Sequence, residues 1–281
     1  MGDRPLVNDR MQVNGKEVAE ISLMDRGLHY GDGLFETMRV INGKIPLQSY
    51  HVKRLLRDAE RLALPRLDAT QLQQEITALA SDYDDGIIKV ILTRGAGQRG
   101  YRPPTGADVT RILLGFERHQ LPASYWQKGI AMCVCHTSLS TQPLLAGIKH
   151  LNRLEQVLAS REIDESRHQE GLMCDYDDNI IEATSHNIFV VMAGELLTPE
   201  LSSCGVQGIM RDYVLELAQK ENIPVRQTTI AKSELPLFDE VFVTNSVHGI
   251  WPVTAIEEHT YSPGNWTTML RDQVAQILPY E

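Results

Sequence analysis

Two Asn-Gly dipeptides are the feature that most constrains how the first part of this chain can fold. Asn14-Gly15 and Asn42-Gly43 each interrupt a run of strand-like residues. Asn and Gly both accept a positive φ, which a two-residue turn between antiparallel strands requires. The pattern therefore predicts short strands joined by tight turns over residues 11–18 and 21–47.

Helical periodicity follows this region. Apolar residues recur at helical spacing over residues 52–63, Ser49 is a suitable N-cap, and Pro65 ends the run. A second amphipathic helix is expected over residues 68–81. The segments GIIKVILTR and TRILLGF then predict a buried strand and a returning strand.

A polar segment divides the chain. Residues 1–116 are predicted to form a small α/β domain, 117–122 an interdomain linker, and 123–281 a larger domain. The larger domain is expected to contain helices near 150–165 and 208–221. Its strand-like segments are GIAMCVCHTSL, GLMCDYD, NIIEAT, NIFVVMAGELLTP and EVFVTNS. With 281 residues, 42% of them hydrophobic, the chain can bury the core that this organisation needs.

The composition limits the function classes. A formal net charge of −10 argues against a nucleic-acid partner, although locally clustered arginines could still capture a small anionic substrate. No apolar run is long enough for a membrane span, and residues 1–11 lack the hydrophobic stretch of a signal peptide, so we expect a cytoplasmic protein. The four cysteines match no zinc-ligand spacing, so we expect reduced thiols and no metal site.

One lysine lies in an unusually apolar setting. Lys149 follows the segment Leu-Leu-Ala-Gly-Ile, where a partly buried amine would lose its proton more readily and could form a Schiff base with a carbonyl group. The alternative is a lysine that extends to solvent or pairs with Glu155. Lys89, within a predicted strand, is the other candidate for a buried amine, although alternate strand positions can simply face water.

The segment GAGQRG, residues 95–100, has the Gly-x-Gly-x-x-Gly spacing of a dinucleotide-binding turn. Such a turn must open a helix, whereas Pro103 and Pro104 follow here without helical periodicity. We therefore interpret it as a mobile Gly-rich loop that either extends into solvent or binds a carboxylate. Its candidate side chains are Arg94, Arg99, Tyr101 and Arg102.

Three further signals are weak when taken singly. The turn before the helix at 208–221 leaves unpaired N–H groups suited to a phosphate, and Arg54 could supply a positive charge to the same group. Glu182 interrupts an apolar run and either faces water or pairs with a cation. Ser246 ends a predicted buried strand, where a hydroxyl commonly bonds to nearby backbone.

Taken in order, seven segments resemble the class IV aminotransferase-like family, which has fold type IV and depends on pyridoxal 5'-phosphate. The resemblance extends over nearly the whole chain. The segments are DRGLHYGDGLFETMRV (25–40), HVKRL (51–55), LTRGAGQRGY (92–101), IKHLNRLEQ (148–156), IIEATSHNIF (180–189), GVQGIMR (205–211) and NSVHGIWPV (245–253).

The resemblance implies a fold, a cofactor and roles for individual residues. It implies a smaller α/β domain followed by a larger domain with a barrel-like sheet, and a homodimer. Lys149 would hold pyridoxal 5'-phosphate covalently, and Glu182 would keep its ring nitrogen protonated. The phosphate would be bound by Arg54, by the backbone of Ile209 and Met210, and by Ser246.

Within this family the chain is most similar to lyases that convert 4-amino-4-deoxychorismate to 4-aminobenzoate and pyruvate in folate biosynthesis. Thr37, which would protonate the leaving oxygen, stands where branched-chain aminotransferases usually carry Gly and D-amino acid aminotransferases an aliphatic residue. Arg99 and Tyr101 would bind substrate carboxylates. Glu36 departs from some lyases, which have a small hydroxyl residue there, and resembles the transaminases.

Two alternatives remain open from the sequence. One is a transaminase of the same family that acts on D- or branched-chain amino acids. The other is a binding or scaffold protein that has kept the fold without the cofactor, against which the presence of Lys149, Glu182 and Arg54 argues.

Overall fold

The computed structural model describes residues 9–280. Its contacts divide the chain into two units: one runs to Gln120 and includes Lys149–Asn152, and the other contains Leu121–Ile148 and the chain from Arg153 onward. The sequence did not predict that residues 149–152 group with the first unit. The linker at 117–122 stays a prediction, and residues 1–8, which contribute to the signal-peptide expectation, lie outside the described part.

The first unit is built on a four-stranded sheet with the order β1-β4-β3-β2, in which all neighbours are antiparallel. Its strands are Arg10–Val13 (β1), Gly33–Ile41 (β2), Asp85–Thr93 (β3) and Thr110–Glu117 (β4). Its helices are Arg26–Tyr30 (α1), Gln48–Arg61 (α2) and Ala69–Ala80 (α3).

Both predicted Asn-Gly turns are confirmed. Asn14 and Gly15 have φ values of 52° and 77°, and Asn42 and Gly43 have values of 49° and 71°. In each turn the two flanking residues exchange backbone hydrogen bonds, as in the bond of 2.8 Å from the Ile41 N–H to the Lys44 carbonyl. Each turn closes on a single bridging residue, Lys16 or Lys44, and leads to a helix, so the strands expected after the two turns did not form. Strands β1 and β2 pair instead with β4 and β3.

Two further local predictions in this unit were wrong. The region before β2 was expected to be strand, but α1 forms there, capped by Asp25, whose carboxylate accepts the Gly27 N–H. Helix α2 begins one residue before Ser49, and its N-cap is Leu47, with a φ of 58° and no side-chain cap. The second helix is confirmed as α3, and the Asp68 carboxylate caps it by accepting two N–H groups.

The second unit has a larger mixed sheet with the order β10-β9-β8-β11-β12-β5-β6-β7, and β13 pairs with β12. Its strands are Ile130–Val134 (β5), Glu170–Cys174 (β6), Ile180–Ala183 (β7), Asn187–Met192 (β8), Glu195–Pro199 (β9), Val225–Thr228 (β10), Glu240–Asn245 (β11), Gly249–Ile256 (β12) and His259–Thr260 (β13). Its helices are Ser124–Gln127 (α4), Leu154–Ser160 (α5), Ile209–Lys220 (α6), Asn265–Ala275 (α7) and a short 3₁₀ turn at Lys232–Leu237.

The core of this unit packs Trp126, Phe238 and Trp251 among branched side chains of the central strands. The helix predicted at 208–221 is confirmed as α6, whereas the one expected at 150–165 is only the seven-residue α5. Strands β10 and β12 and helix α7 were not predicted. Within residues 9–280, no helix combines the length and the apolar character that crossing a membrane requires.

Candidate active site

Lys149 is held beside β2 by main-chain pairing. The Phe35 N–H donates to the Lys149 carbonyl at 3.0 Å, and the Leu151 N–H donates to the Gly33 carbonyl at 3.1 Å. The Lys149 N–H also points to the Asp58 carboxylate of α2, at 3.4 Å. These contacts place the half-buried amine over the Phe35 ring, with Nζ 4.3 Å from the ring centroid.

Thr37 lies on the same face of β2 as Phe35, because side chains two apart in a strand point the same way. It is partly exposed, and its backbone register partner on β3 is Lys89. The Lys89 Nζ is 5.5 Å from the Phe35 centroid, farther than that of Lys149. The structure thus gathers Phe35, Thr37 and both candidate lysines on one face of the first unit.

The opposite face of β2 carries a buried charge cluster under α2. Arg54 donates from Nε and Nη2 to the two oxygens of Glu36, both at 2.6 Å, and His51 Nδ1 lies 2.6 Å from the same carboxylate. His51 and Glu36 are each 1% exposed and Arg54 is 5% exposed. A bidentate pair of this kind fixes the guanidinium rigidly.

The protonation states in this cluster follow from its contacts. Burial raises the pKa of Glu36, but Arg54 and His51 outweigh it and lower that pKa to about 2, so the group is a carboxylate at neutral pH. Burial also lowers the pKa of His51 despite the opposing effect of Glu36. A neutral His51 with its proton on Nδ1 would donate to the carboxylate.

The Gly-rich loop after β3 leads to no helix before β4, which agrees with its interpretation as a loop. Buried Arg26 holds it, donating to the carbonyls of Gly100 and Tyr101 at 2.9 Å each. Arg99 is exposed, and Tyr101 is 86% exposed. Both predicted carboxylate ligands are thus exposed side chains of the first unit.

The guanidinium of Arg94 is held by hydrogen bonds within the first unit. Arg94 is 7% exposed, and its guanidinium donates to the Asp32 carboxylate and to the carbonyls of Leu62 and Ala63. The expectation that Arg94 belongs to the mobile loop was therefore wrong.

In the second unit, Glu182 is buried on β7 and is 4% exposed. One oxygen accepts the Val206 N–H at 2.8 Å, and the other lies 3.3 Å from the Gln156 amide nitrogen. A Cβ at Gly205 would lie 2.7 Å from Ile181 Cγ2 and 3.4 Å from a Glu182 oxygen. Glu182 is thus an oriented buried carboxylate, and the solvated alternative was wrong.

Asn187 holds the backbone at the N-terminus of α6 by two hydrogen bonds. Its amide nitrogen donates to the Val206 carbonyl at 2.8 Å, and its oxygen accepts the Gly208 N–H at 3.1 Å. The next N–H groups, those of Ile209 and Met210, have no acceptor within the helix and lie at the positive end of its dipole. This terminus can therefore bind an anion.

Ser246 follows the last residue of β11, in the turn that leads to β12 at Gly249. The turn is stabilised by Asn245, whose side-chain oxygen accepts the N–H groups of Val247 and His248 at 3.0 and 2.7 Å. Ser246 is partly exposed at the end of the strand. The second unit thus contains the other predicted site residues: Glu182, Ile209, Met210 and Ser246.

Sequence reasoning missed the groups that orient these residues, namely His51, Gln156 and Asn187. A signal for the first was present, because His51, Arg54 and Asp58 recur at helical spacing on the inner face of α2. Glu36 lies two residues after the buried Leu34 in β2, so both side chains point to the same, buried face. No local pattern pointed to Gln156 or Asn187.

Comparison with known proteins shows which family the chain belongs to. The profile of the class IV amino-transferase family matches residues 33–256. An aminodeoxychorismate lyase of Vibrio harveyi is 37% identical over 87% of this chain and 90% of its own length. A putative branched-chain-amino-acid aminotransferase of Methanocaldococcus jannaschii is 30% identical over 88% of each chain.

Among solved structures, 4-amino-4-deoxychorismate lyase from Pseudomonas aeruginosa superimposes with a TM-score of 0.92 at 45% identity, covering 95% of this chain and 98% of that one. The chain belongs to the class IV aminotransferase family. Its fold is fold type IV, as the sequence resemblance implied, with a curled half-barrel sheet. Enzymes of this family depend on pyridoxal 5'-phosphate.

Proposed function

We propose that this protein is an aminodeoxychorismate lyase, which cleaves 4-amino-4-deoxychorismate to 4-aminobenzoate and pyruvate in folate biosynthesis. The observation that carries the proposal is the juxtaposition on one face of β2: the Lys149 amine covers Phe35, and the Thr37 hydroxyl follows on the same face. Elimination needs both a base and an acid, and these two residues are of the right chemical types.

The residues present fit pyridoxal 5'-phosphate. Lys149 would hold the cofactor covalently, and Glu182, already oriented by Val206, would pair with its ring nitrogen. The phosphate would be bound by the backbone of Ile209 and Met210, by Ser246 and by Arg54, whose guanidinium Glu36 keeps in place.

When bound, the cofactor would exchange its bond to Lys149 for one to the substrate's amine nitrogen, which frees the Lys149 amine, and would supply an electron sink for the adjacent carbon. Lys149 Nζ then accepts the proton from that carbon. The bond from the ring to the enolpyruvyl oxygen breaks, and Thr37 Oγ1 donates a proton to the departing oxygen. The proton count balances when the proton held on Lys149 Nζ passes to Thr37 Oγ1, which restores both side chains, and the released enol becomes pyruvate. The cofactor's bond to the product's amine nitrogen would then be exchanged for one to Lys149 again.

The substrate contacts remain part of the proposal. Arg99 and Tyr101, on the loop held by Arg26, would bind the substrate carboxylates. We further propose a homodimer in the cytoplasm with no nucleic-acid or membrane partner, on the basis of the family resemblance and the net charge of −10.

Amino transfer to D- or branched-chain keto acids is not the favoured function. The relatives at 37% and 45% identity are lyases, whereas the branched-chain aminotransferase relative is 30% identical. Glu36 is nevertheless a transaminase-like residue, so a slow side activity is expected.

The test is turnover with enzymatically generated 4-amino-4-deoxychorismate. We expect 4-aminobenzoate and pyruvate in equal amounts without any added keto acid. A parallel reaction contains 2-oxoglutarate and D-alanine or leucine as the amino donor. Rapid amino transfer with no 4-aminobenzoate would refute the proposal in favour of the transaminase.

A further inference from the structure

A buried polar chain links three strands of the second unit beside the turn of Ser246. Glu170 begins β6, His186 directly precedes β8, and Asn245 ends β11. His186 Nδ1 lies 2.6 Å from the Glu170 carboxylate, and His186 Nε2 lies 2.9 Å from the Asn245 amide nitrogen. Glu170 and His186 are 2% and 4% exposed.

The hydrogen bonds determine which imidazole nitrogen carries the proton. The Asn245 oxygen accepts the Val247 and His248 N–H groups, so its amide nitrogen must be the atom that faces His186. An amide nitrogen can only donate, so His186 Nε2 must accept. The proton of a neutral His186 is therefore on Nδ1 and is donated to Glu170.

Glu170 is suited to hold this tautomer. Burial raises the pKa of Glu170, but the hydrogen bond and the charge attraction of His186, with hydrogen bonds from Thr184 and Ser185, outweigh it and lower that pKa. When His186 is neutral, its hydrogen bond and those of the two hydroxyl groups still lower the pKa of Glu170. The carboxylate therefore stays ionised and acts only as an acceptor. A carboxylate needs a hydrogen-bond donor, so His186 carries its proton on Nδ1. His186 Nε2 is then unprotonated and accepts the hydrogen bond from the Asn245 amide.

The ring of His186 also packs against the turn. Its centroid is 5.6 Å from that of His248 and 4.7 Å from that of Trp251. The other contacts of the Asn245 amide nitrogen, to the Ser185 carbonyl and to His248 Nδ1, are longer, at 3.3 Å each. The contact with His186 is thus the shortest one that ties this side chain to β8.

We propose that His186 is a positioning residue, which through Asn245 holds the turn carrying Ser246 in the conformation that binds the cofactor phosphate. The inference rests on the proposed role of Ser246 in the lyase. His186 does not touch the reacting atoms. Its effect is on the affinity for a phosphate monoester, which is the part of the cofactor that this turn would contact.

Two substitutions at position 186 test the Nδ1 contact and the Nε2 contact of the imidazole separately. In His186→Asn the shorter amide reaches only the Nδ1 position, so the contact with Glu170 is kept and Asn245 loses its acceptor. In His186→Gln the amide reaches the Nε2 position and supplies an oxygen to Asn245. His259→Asn, on β13, serves as the matched control.

The measurement is the dissociation constant of the cofactor-free protein for pyridoxal 5'-phosphate and for pyridoxal, which lacks the phosphate. His186→Asn should weaken binding of pyridoxal 5'-phosphate by roughly fivefold to tenfold, the effect of one hydrogen bond. Pyridoxal binding should not change. His186→Gln should restore most of the affinity, and His259→Asn should behave as the wild type.

Ser246→Ala completes a double-mutant cycle. We expect it to weaken pyridoxal 5'-phosphate binding by about tenfold or more, as for a hydrogen bond to a charged group, and His186→Asn to add little further loss. Equal losses for both ligands, or fully additive losses, would overturn the inference. If Ser246→Ala has no effect, Ser246 is not a phosphate ligand and the inference fails with it. Release of 4-aminobenzoate by the wild type reports separately on the lyase proposal.

A spectroscopic test uses the unmodified protein and does not depend on the variants folding. In ¹⁵N-histidine-labelled protein, His186 should show a protonated Nδ1 and an unprotonated Nε2. The Nε2 resonance should move when pyridoxal 5'-phosphate is added and should move less with pyridoxal. A proton on Nε2 would contradict the proposed hydrogen bond from Asn245.

Discussion

Side chains alternate along a strand, so neighbouring residues of β2 point to opposite faces and have different roles. Glu36 points under α2, where it fixes Arg54, and Thr37 points to the face that carries Phe35 and Lys149. A substitution at position 37 can therefore change the chemistry while leaving the buried charge cluster intact. Substitution of Thr37 is therefore the most specific test of the proposed acid.

Thr37→Ala should separate elimination from amino transfer. Loss of the hydroxyl removes the proposed acid for the leaving oxygen, so we expect 4-aminobenzoate release to fall by something on the order of a hundredfold or more. Slow amino transfer to 2-oxoglutarate and cofactor affinity should be retained, since neither needs that acid. The measurement is the pair of initial rates at saturating cofactor.

Thr37→Ser is the matched control, because it keeps the hydroxyl and should retain most of the lyase rate. If both activities fall equally in Thr37→Ala, the residue supports the cofactor or the fold and is not the acid. Unchanged elimination would assign the proton to another group, such as Lys149.

Glu182→Gln should bind the cofactor but lose most of its proton-removal activity. The carboxylate is buried and oriented by Val206, and only its charged form favours a protonated ring nitrogen. We expect the exchange of the substrate's amine-bearing C–H with D₂O to slow by roughly a hundredfold. Gln156→Ala, which removes the neutral partner of the same carboxylate, should slow the exchange much less. Wild-type exchange in Glu182→Gln would show that the charge is not used.

At the level of elements, the N-terminus of α6 depends on a glycine. A Cβ on Gly208 would lie 2.0 Å from the Asn187 side-chain oxygen, too close to be tolerated without movement. Gly208→Ala should therefore shift the first turn of α6 and weaken binding of pyridoxal 5'-phosphate by about tenfold. Affinity is measured by titration of the cofactor-free protein.

Gly194→Ala is the control for this change. Gly194 has a φ of 76°, and no neighbouring atom lies within 4 Å of the position that a Cβ would take, so alanine there adds backbone strain alone. It should lower stability and leave cofactor affinity unchanged. Equal affinities in Gly208→Ala and the wild type would mean that this helix end does not bind the phosphate.

The elements that could be predicted from the sequence are those with strong local signals. Helix α3 follows from its amphipathic period, and the tight turns follow from Asn-Gly. The start of α2 could not be predicted, because Leu47 adopts a left-handed conformation although the Ser49 side chain is the better local cap. For α5, the helix predicted near residues 150–165 is longer than the helix that forms, Leu154–Ser160.

The same distinction applies to the site. Lys149, Glu182 and Arg54 were predicted as site residues from motifs and their local settings, and their roles stay predictions. Their partners were not predicted, because the contacts of Arg54 with Glu36 and of Glu182 with Val206 join residues distant in sequence. Such long-range pairing leaves no period in the chain. For His51, helical spacing with Arg54 was the only available sign.

For the whole molecule, acid stability should depend on the two buried carboxylates. Each of Glu36 and Glu170 has a pKa near 2 in the fold, against an ordinary value of 4.5. A lowered folded pKa gives stability that is present above about pH 4.5 and lost as the pH falls toward 2. Each group should contribute a slope of about 1.4 kcal/mol per pH unit across that window.

Glu170→Gln tests this dependence. Urea unfolding measured across the window should show a free energy of unfolding that falls less steeply with decreasing pH than in the wild type. The exposed Glu20→Gln serves as the control and should keep the wild-type slope. A slope for Glu170→Gln identical to that of the wild type would show that Glu170 is not held ionised in the fold.

The proposed chemistry of the whole molecule requires Lys149 to be the amine that holds the cofactor. The measurement that tests this most directly is borohydride reduction of the holoenzyme, which fixes the cofactor to its lysine, followed by peptide mapping by mass spectrometry. We predict one modified peptide containing Lys149, and none in Lys149→Gln. Modification of Lys89, whose amine lies 5.5 Å from the Phe35 centroid on the same face, would show that Lys149 is not the lysine that holds the cofactor.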